Sequence, residues 1–234
     1  MDSFNRDHLK SAIKGTVVRL YTAQNSDLDL YRNTLDCFSA SIDALIQNIS
    51  MEDWLIQEKE RQVQKTKQNA IGSLHEDIMG SIAGVESLPV GNLIDIISNE
   101  KLLVAEVKNK HNTTKGNHKV QIYRDLAQKL DELQGYTGYY VEILPKGAKA
   151  YNTPFSPSDN QTKTKLPARE DIRVIDGKSF YALLTGNENA LEELYTVLPN
   201  IVAEIVQEEF NQKLSADRVT SSTLFGTNFS KAYG

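Results

Sequence analysis

The sequence predicts an α/β fold in which a central mixed β-sheet is flanked by helices and preceded by an N-terminal helical region, and three observations carry that reading. Two short runs of β-type apolar residues, Leu93-Ile94-Asp95-Ile96-Ile97 and Leu102 to Lys108, are separated by Asn99-Glu100 and read as a β-hairpin. Apolar residues fall on both faces of these runs, as expected of central strands covered on two sides. Before and after them the apolar residues step by three or four, the period of an amphipathic helix.

A chain of 234 residues suits a single domain with a generous core. Hydrophobic residues at 40%, charged residues at 24%, 13 Gly and 6 Pro exclude disordered and fibrous classes.

Within that domain, residues 1–66 read as the helical region, 67–145 as the core that carries the chemistry, and 146–234 as a long loop followed by C-terminal helices. Leu28, Tyr31, Leu35, Phe38, Ile42, Leu45 and Ile49 predict one helix buried along that stripe. Ser50 followed by Asp53 resembles a cap for a second helix through about Val63, with the polar run Gln57 to Gln68 as a solvated face or short bridge. A third helix over Gln68 to Ile82 buries Ile71, Leu74, Ile78 and Ile82 and leaves Glu76 at the stripe's edge.

After a loop at Gly84 to Gly91 comes the hairpin, then a helix over Asn117 to Leu133 and a strand over Tyr139 to Leu144. Tyr151 to Pro167, rich in Asn, Thr, Ser and Pro, is a loop of the length that tends to be functional. Asp171 to Asp176 reads as a strand, Ser179 to Leu184 as a short helix, and Asn189 to Lys213 as a long helix that Pro199 should kink or break.

The formal net charge of −5 would ordinarily argue against a nucleic-acid partner. Its distribution argues otherwise. Lys101, Lys108, Lys110, Lys115, Lys119 and Arg124 fall in one stretch with a single acid, Glu106, whereas the acids from Glu188 to Glu209 stand without any basic residue. No run approaches the roughly 18 apolar residues of a membrane span, and Met1 to Arg6 lacks the order of a signal peptide, so a cytoplasmic protein with no membrane association is expected. The single Cys37 excludes a disulfide framework and thiolate zinc clusters.

Asp95 interrupts one apolar run, and Glu106 and Lys108 interrupt the other. A carboxylate buried in a sheet costs several kcal/mol unless it is paired or holds a metal, so the placement asks for a reason. Glu106 and Lys108, two apart on a strand, share a face. Pairing about the Asn99-Glu100 turn brings Asp95 level with Glu106. Two convergent carboxylates beside an ammonium form a hard-oxygen site suited to Mg²⁺. A structural ion pair is the bland alternative, and three charges on two central strands argue against it.

Asp95 followed after ten residues by Glu106-Val107-Lys108 resembles the PD-(D/E)xK nuclease signature, with Ile94 in place of Pro. The helix Gln68 to Glu76 is similar to the one that supplies a further acid to such sites, here Glu76. With Lys110-His111-Asn112-Thr113 and Ile175 to Gly186, the ordered set resembles bacterial type II restriction endonucleases, most nearly the group that cuts GGNCC-type sites.

The resemblance implies a restriction-endonuclease-like sheet and Mg²⁺-dependent hydrolysis of double-stranded DNA, leaving 5′-phosphate and 3′-hydroxyl ends. It also implies metal ligands at Asp95, Glu106 and the Val107 carbonyl, with Lys108 beside the attacking water. A short palindromic site further implies a homodimer, and the host would carry a DNA methyltransferase protecting the same site. A structure-specific or repair nuclease of the same superfamily and a non-catalytic DNA-binding protein on that fold are the alternatives. A plasmid digest giving discrete bands rather than a smear or no cutting separates the three.

DNA contacts fall to the loop Lys110 to Asn117 and the segment Asn152 to Arg173. Lys115 and Lys119 read as phosphate contacts, Arg169 and Arg173 as bidentate base readers, and Lys110, Asn112 and Asn152 as the next candidates. Surface pairing of Arg169 and Arg173 with Glu170, Asp171 or Asp176 is as good a reading. Three motifs carry no metal or nucleotide site. His75-Glu76 lacks the second His of a zincin helix, Gly177-Lys178-Ser179 lacks the first Gly of a phosphate loop, and His111 and His118 flank a basic loop, where solvated or phosphate-contacting roles are expected rather than metal ligation.

Overall fold

The computed structural model describes residues 4–25, 30–31, 34–89, 91–159 and 161–234. Its elements in chain order are α1 (Arg6–Asn25), α2 (Cys37–Gln47), α3 (Met51–Gly72), α4 (Leu74–Gly80), β1 (Glu86–Ser87), β2 (Ile96–Ser98), β3 (Leu103–Lys110), α5 (Gly116–Glu132), β4 (Thr137–Leu144), β5 (Asn152–Pro154), β6 (Ile172–Asp176), α6 (Gly177–Thr185), α7 (Ala190–Phe210), α8 (Asp217–Thr220) and α9 (Thr223–Tyr233). The strands form one six-stranded sheet in the order β1-β2-β3-β4-β6-β5. β3, β4 and β6 run parallel, while β1, β2 and β5 are antiparallel to their neighbours, so the sheet is mixed.

Alternation along β3 divides the core. Leu103, Ala105 and Val107 face a large cluster built from α1, α4, α6, α7 and α9, and Val104 faces a smaller one built on Tyr123, Leu126 and Leu130 of α5. Glu106 and Lys108 therefore share the α5 face. Since β3, α5 and β4 form a parallel crossover unit, the loops after β3 and β4 emerge at the same end of the sheet. Gly177, at the start of α6, passes so close to β4 that a Cβ there would stand 2.5 Å from the Ile143 carbonyl oxygen.

Several expectations require correction. The predicted helix over 28–49 is seen as α2, with Leu28 outside the described residues. Its stripe is not buried: α2 turns Ala40 and Ala44 inward onto Trp54 and leaves Phe38, Ile42, Leu45 and Ile46 in solvent. The polar run after Val63 is no bridge but part of α3, a single helix of 22 residues. Its Glu, Gln and Lys residues are good helix formers, and no Gly or Pro interrupts it before Gly72.

Pro199 does not break α7, which runs unbroken with Leu194, Ile201 and Ile205 buried on both sides of it. Helix α1 was not anticipated, although Leu9, Ile13 and Val17 form its buried stripe. Arg6, Lys10 and Lys14 of α1 pair with Glu204, Glu208 and Glu209 of α7, which accounts for much of the acidic C-terminal stretch.

Candidate active site

Asp95 lies in a bend immediately before β2, where the hairpin partner of β3 departs from the ladder. Its backbone N–H donates to the Ala105 carbonyl at 2.9 Å, and its carbonyl accepts from Leu88 N–H at 2.8 Å. The Ile96–Ala105 register carried one step further sets Asp95 opposite Glu106. Its carboxylate takes the ladder position that β2 vacates, with Oδ2 accepting the Val107 N–H at 2.8 Å. The fold thus uses a side chain to satisfy a backbone donor of a central strand, and the carboxylate is fixed by it.

Around this point the charged groups converge on one atom. Lys108 Nζ stands 2.6 Å from Glu106 Oε1, 3.0 Å from the Val107 carbonyl oxygen and 3.6 Å from Asp95 Oδ2. Three oxygens from two carboxylates and one carbonyl therefore bracket a single cation position, filled by the ammonium. Glu76 on α4 faces Val107 and Lys108 across a cavity of about 650 Å³, lined also by Gln64 and Gln68 of α3 and by Lys110 and Thr113.

Three carboxylates share one ammonium, and the protonation of Glu106 and Glu76 reflects the imbalance. Burial, then the charge of Asp95, pushes Glu106 up to about 7. Burial, then Asp95, pushes Glu76 to about 7 as well. Burial alone would lower the Lys108 ammonium, but its hydrogen bond to Glu106 and the charges of Glu106, Asp95 and Glu76 hold it above its ordinary value. A site that raises its carboxyls this way gains from added positive charge.

Among the described residues no three acidic, histidine or cysteine groups form a ready metal cage. Mg²⁺ takes one or two carboxylates and keeps several waters for substrate oxygens to replace, which is what Asp95, Glu106 and the Val107 carbonyl offer.

The predicted DNA-contact residues are dispersed. Lys110 ends β3 and lines the cavity, Asn112 is exposed in the following turn, and Lys115 is exposed at the N-cap of α5. Lys119 is not free for a phosphate: it pairs at 2.8 Å with Glu142, whose side chain is 7% exposed, and lies over the Tyr140 ring. Arg169 is held bidentate by Asp171 at 2.9 and 2.7 Å. Its approach to Asp131, near the C-terminal end of α5, sets it at the end of the sheet remote from Lys108. Arg173 donates to Asn152 Oδ1 at 2.6 Å and to the Asn152 carbonyl at 2.8 Å. Its register with Tyr139, itself paired with Ala105, turns Arg173 to the sheet face opposite Glu106. Both guanidinium groups are thus committed to protein partners, the surface-pairing alternative.

Sequence reading missed Gln64 and Gln68, four apart on α3 and exposed toward the cavity. It also missed Lys146 and Lys149, which surround Glu142, Lys119 and Tyr151 in a second cavity at the same end of the sheet. The parallel β3–α5–β4 unit was the available signal, because it obliges the loop after β4 to sit beside the loop after β3. His75 is structural: its Nδ1 lies 2.9 Å from the Tyr181 hydroxyl, and burial pushes its ring down to about 4. Asp176 caps α6 by accepting from Ser179 N–H, so the Gly177-Lys178-Ser179 segment is a helix start and nothing more. A further cavity, about 830 Å³ between α2 and α3, is lined by charges that pair among themselves, Arg61 with Asp43 and Glu58.

The Eco47II restriction endonuclease family model matches residues 1–207. The chain is 35% identical over 206 residues to the type II restriction enzyme Eco47II of Escherichia coli, an alignment covering 86% of this chain and 85% of that protein. It is 29% identical over 222 residues to the type II restriction enzyme Sau96I of Staphylococcus aureus, covering 91% of this chain and 83% of that protein.

Proposed function

The chain belongs to the Eco47II restriction endonuclease family and is a type II site-specific deoxyribonuclease, and we propose that it hydrolyses DNA with Mg²⁺ held by Asp95, Glu106 and the Val107 carbonyl. The observation that supports this reading is the convergence of those three oxygens on the Lys108 ammonium. A bound divalent ion supplies charge neutralisation at the scissile phosphate and acidifies a water that attacks in line.

The protein groups do the rest. Val107 N–H holds the Asp95 carboxylate in place. Lys108, whose ammonium lies within 3.6 Å of those three oxygens, would stand beside the attacking water and stabilise charge on the phosphate oxygens. Glu76, poised near neutrality across the cavity, is a group able to accept a proton from that water. The products carry 5′-phosphate and 3′-hydroxyl ends.

The substrate is a short palindromic duplex site of the GGNCC type, cut by a homodimer in the cytoplasm of a host that methylates the same site. Lys110 and Asn112 beside the cavity are the base readers nearest the chemistry, and Lys115 contacts phosphate. Arg169, Arg173 and Asn152 would read bases only by exchanging the bonds they make to protein. Plasmid digestion tests this: discrete fragments in Mg²⁺ and none in excess EDTA are expected, and undiminished cutting in EDTA rejects the metal mechanism.

A further inference from the structure

We propose that the exposed apolar face of α2 is the surface through which a second copy of this chain is bound. Phe38, Ile42, Leu45 and Ile46 are 79%, 60%, 80% and 78% exposed, whereas Ala40 and Ala44 of the same helix are 2% and 4% exposed. At about 100° per residue, the four large side chains fall within an arc of about 100°, opposite the two alanines. The helix therefore turns its small residues inward and its large apolar ones outward, the reverse of a helix that ends its packing within one chain.

A second copy is the occupant that fits. The four side chains carry no charge, so the face offers nothing to a DNA phosphate. Ile42 is the midpoint of Cys37–Gln47, so an antiparallel α2 pair about a two-fold axis at Ile42 sets like on like, the isologous form of a homodimer. At these exposures the four side chains present roughly 500 Å² per protomer, about 1,000 Å² across a pair, the lower bound for a specific interface.

Each chain also carries one Asp95–Glu106–Lys108 centre, and a duplex has two strands to cut. This step rests on the function proposed above. Helix α3 both receives α2 at Trp54 and walls the catalytic cavity with Gln64 and Gln68, so one helix joins the interface to the site.

Sedimentation of the full chain at micromolar concentration, alone and with a plasmid-derived duplex, tests the proposal. The wild type should be a dimer. Ile42→Asp with Leu45→Asp, both exposed in the monomer, should raise the dimer dissociation constant at least about a hundredfold with an unchanged circular dichroism spectrum. That variant should nick supercoiled plasmid and lose most double-strand cutting. In a Cys37→Ser background, Ile42→Cys should form an intermolecular disulfide on mild oxidation. A dimer that persists in the double aspartate variant overturns the assignment and puts the interface elsewhere. A wild type that is monomeric with and without DNA overturns it too, leaving the face to a different occupant. Failure of the wild type to cut in Mg²⁺ would instead count against the proposed mechanism, and the sedimentation result would stand.

Discussion

Replacing Glu106 by Gln removes one charge while keeping the side chain's shape, and the site predicts that this stabilises the metal-free protein while abolishing cleavage. The Glu106 carboxyl is raised from 4.5 to about 7, by burial first and the Asp95 charge second. Its side chain is 16% exposed, so solvent screens little of this. A folded state that raises an acid's pKa binds the proton more tightly than the unfolded chain does. Stability is therefore lost as pH rises from about 4.5 to about 7, and the full cost is borne above that window.

At about 1.4 kcal/mol per pH unit the ceiling is roughly 3 kcal/mol. Lys108 can still pair with Asp95 once Glu106 is neutral, and it gives up its own bond to Glu106, so a gain of about 1–2 kcal/mol is expected at pH 8. Urea unfolding of wild type and Glu106→Gln in EDTA, at pH 5 and pH 8, measures it. The variant should be the more stable at pH 8, and the advantage should shrink toward zero at pH 5. Mg²⁺ should stabilise the wild type and leave the variant unmoved. A variant less stable than wild type at pH 8, or an advantage equal at both pH values, would refute the claim that uncompensated carboxylate charge defines this site.

Asp95→Asn, which keeps an oxygen to accept the Val107 N–H, and Lys108→Ala should each abolish plasmid cleavage while gel-shift binding to DNA in Ca²⁺ persists, since the charges they remove serve the ion and the water. Single-turnover cleavage should rise with pH through about 7 at low Mg²⁺, as Glu76 and Glu106 ionise, and higher Mg²⁺ should move that rise to lower pH. Lys119→Ala should destabilise the fold by about 2 kcal/mol by taking the cation from Glu142, which keeps only its hydrogen bond from the Tyr151 hydroxyl, whereas Lys115→Ala should only weaken DNA binding and lower the salt slope by about one; thermal melts and salt titrations separate the two. Gly177→Ala should cost about 2 kcal/mol or more through its clash with the Ile143 carbonyl, read by denaturant unfolding.

What could be read from the chain before its structure follows from what each placement costs. The convergence of Asp95, Glu106 and Lys108 was legible because a charge in an apolar strand is expensive, so its presence asks for a partner and its spacing fixes a geometry. The core was legible for the same reason: Val104, Ala105 and Val107 have few places to go but the middle of a sheet. The apolar stripe of α2 misled because periodicity reports a face and not its partner. Two alanines suffice to seat that helix on Trp54, and nothing in one chain's sequence distinguishes an apolar face turned inward from one turned outward. Pro199 misled because the breaking rule concerns a helix in isolation, and α7 is held by Leu194 and Ile201 on either side of the missing hydrogen bond.

Residues that would read DNA were the least legible, and the reason lies in the same balance. An exposed Arg or Lys costs the fold nothing wherever it stands, so its position in the sequence carries almost no information about its partner. Arg169 and Arg173 looked available because they follow a long polar loop, yet Asp171 and Asn152 were near enough to satisfy them first. Lys110, by contrast, is placed by the strand that carries Lys108, and Lys146 and Lys149 by the strand beside it. Groups tied to the catalytic strands cannot move away from the cut, whereas groups on the far edge of the sheet can be drawn into pairs with their neighbours. Recognition in this fold is therefore to be sought first where β3 and β4 end, and on the α3 face that Gln64 and Gln68 present to the same cavity.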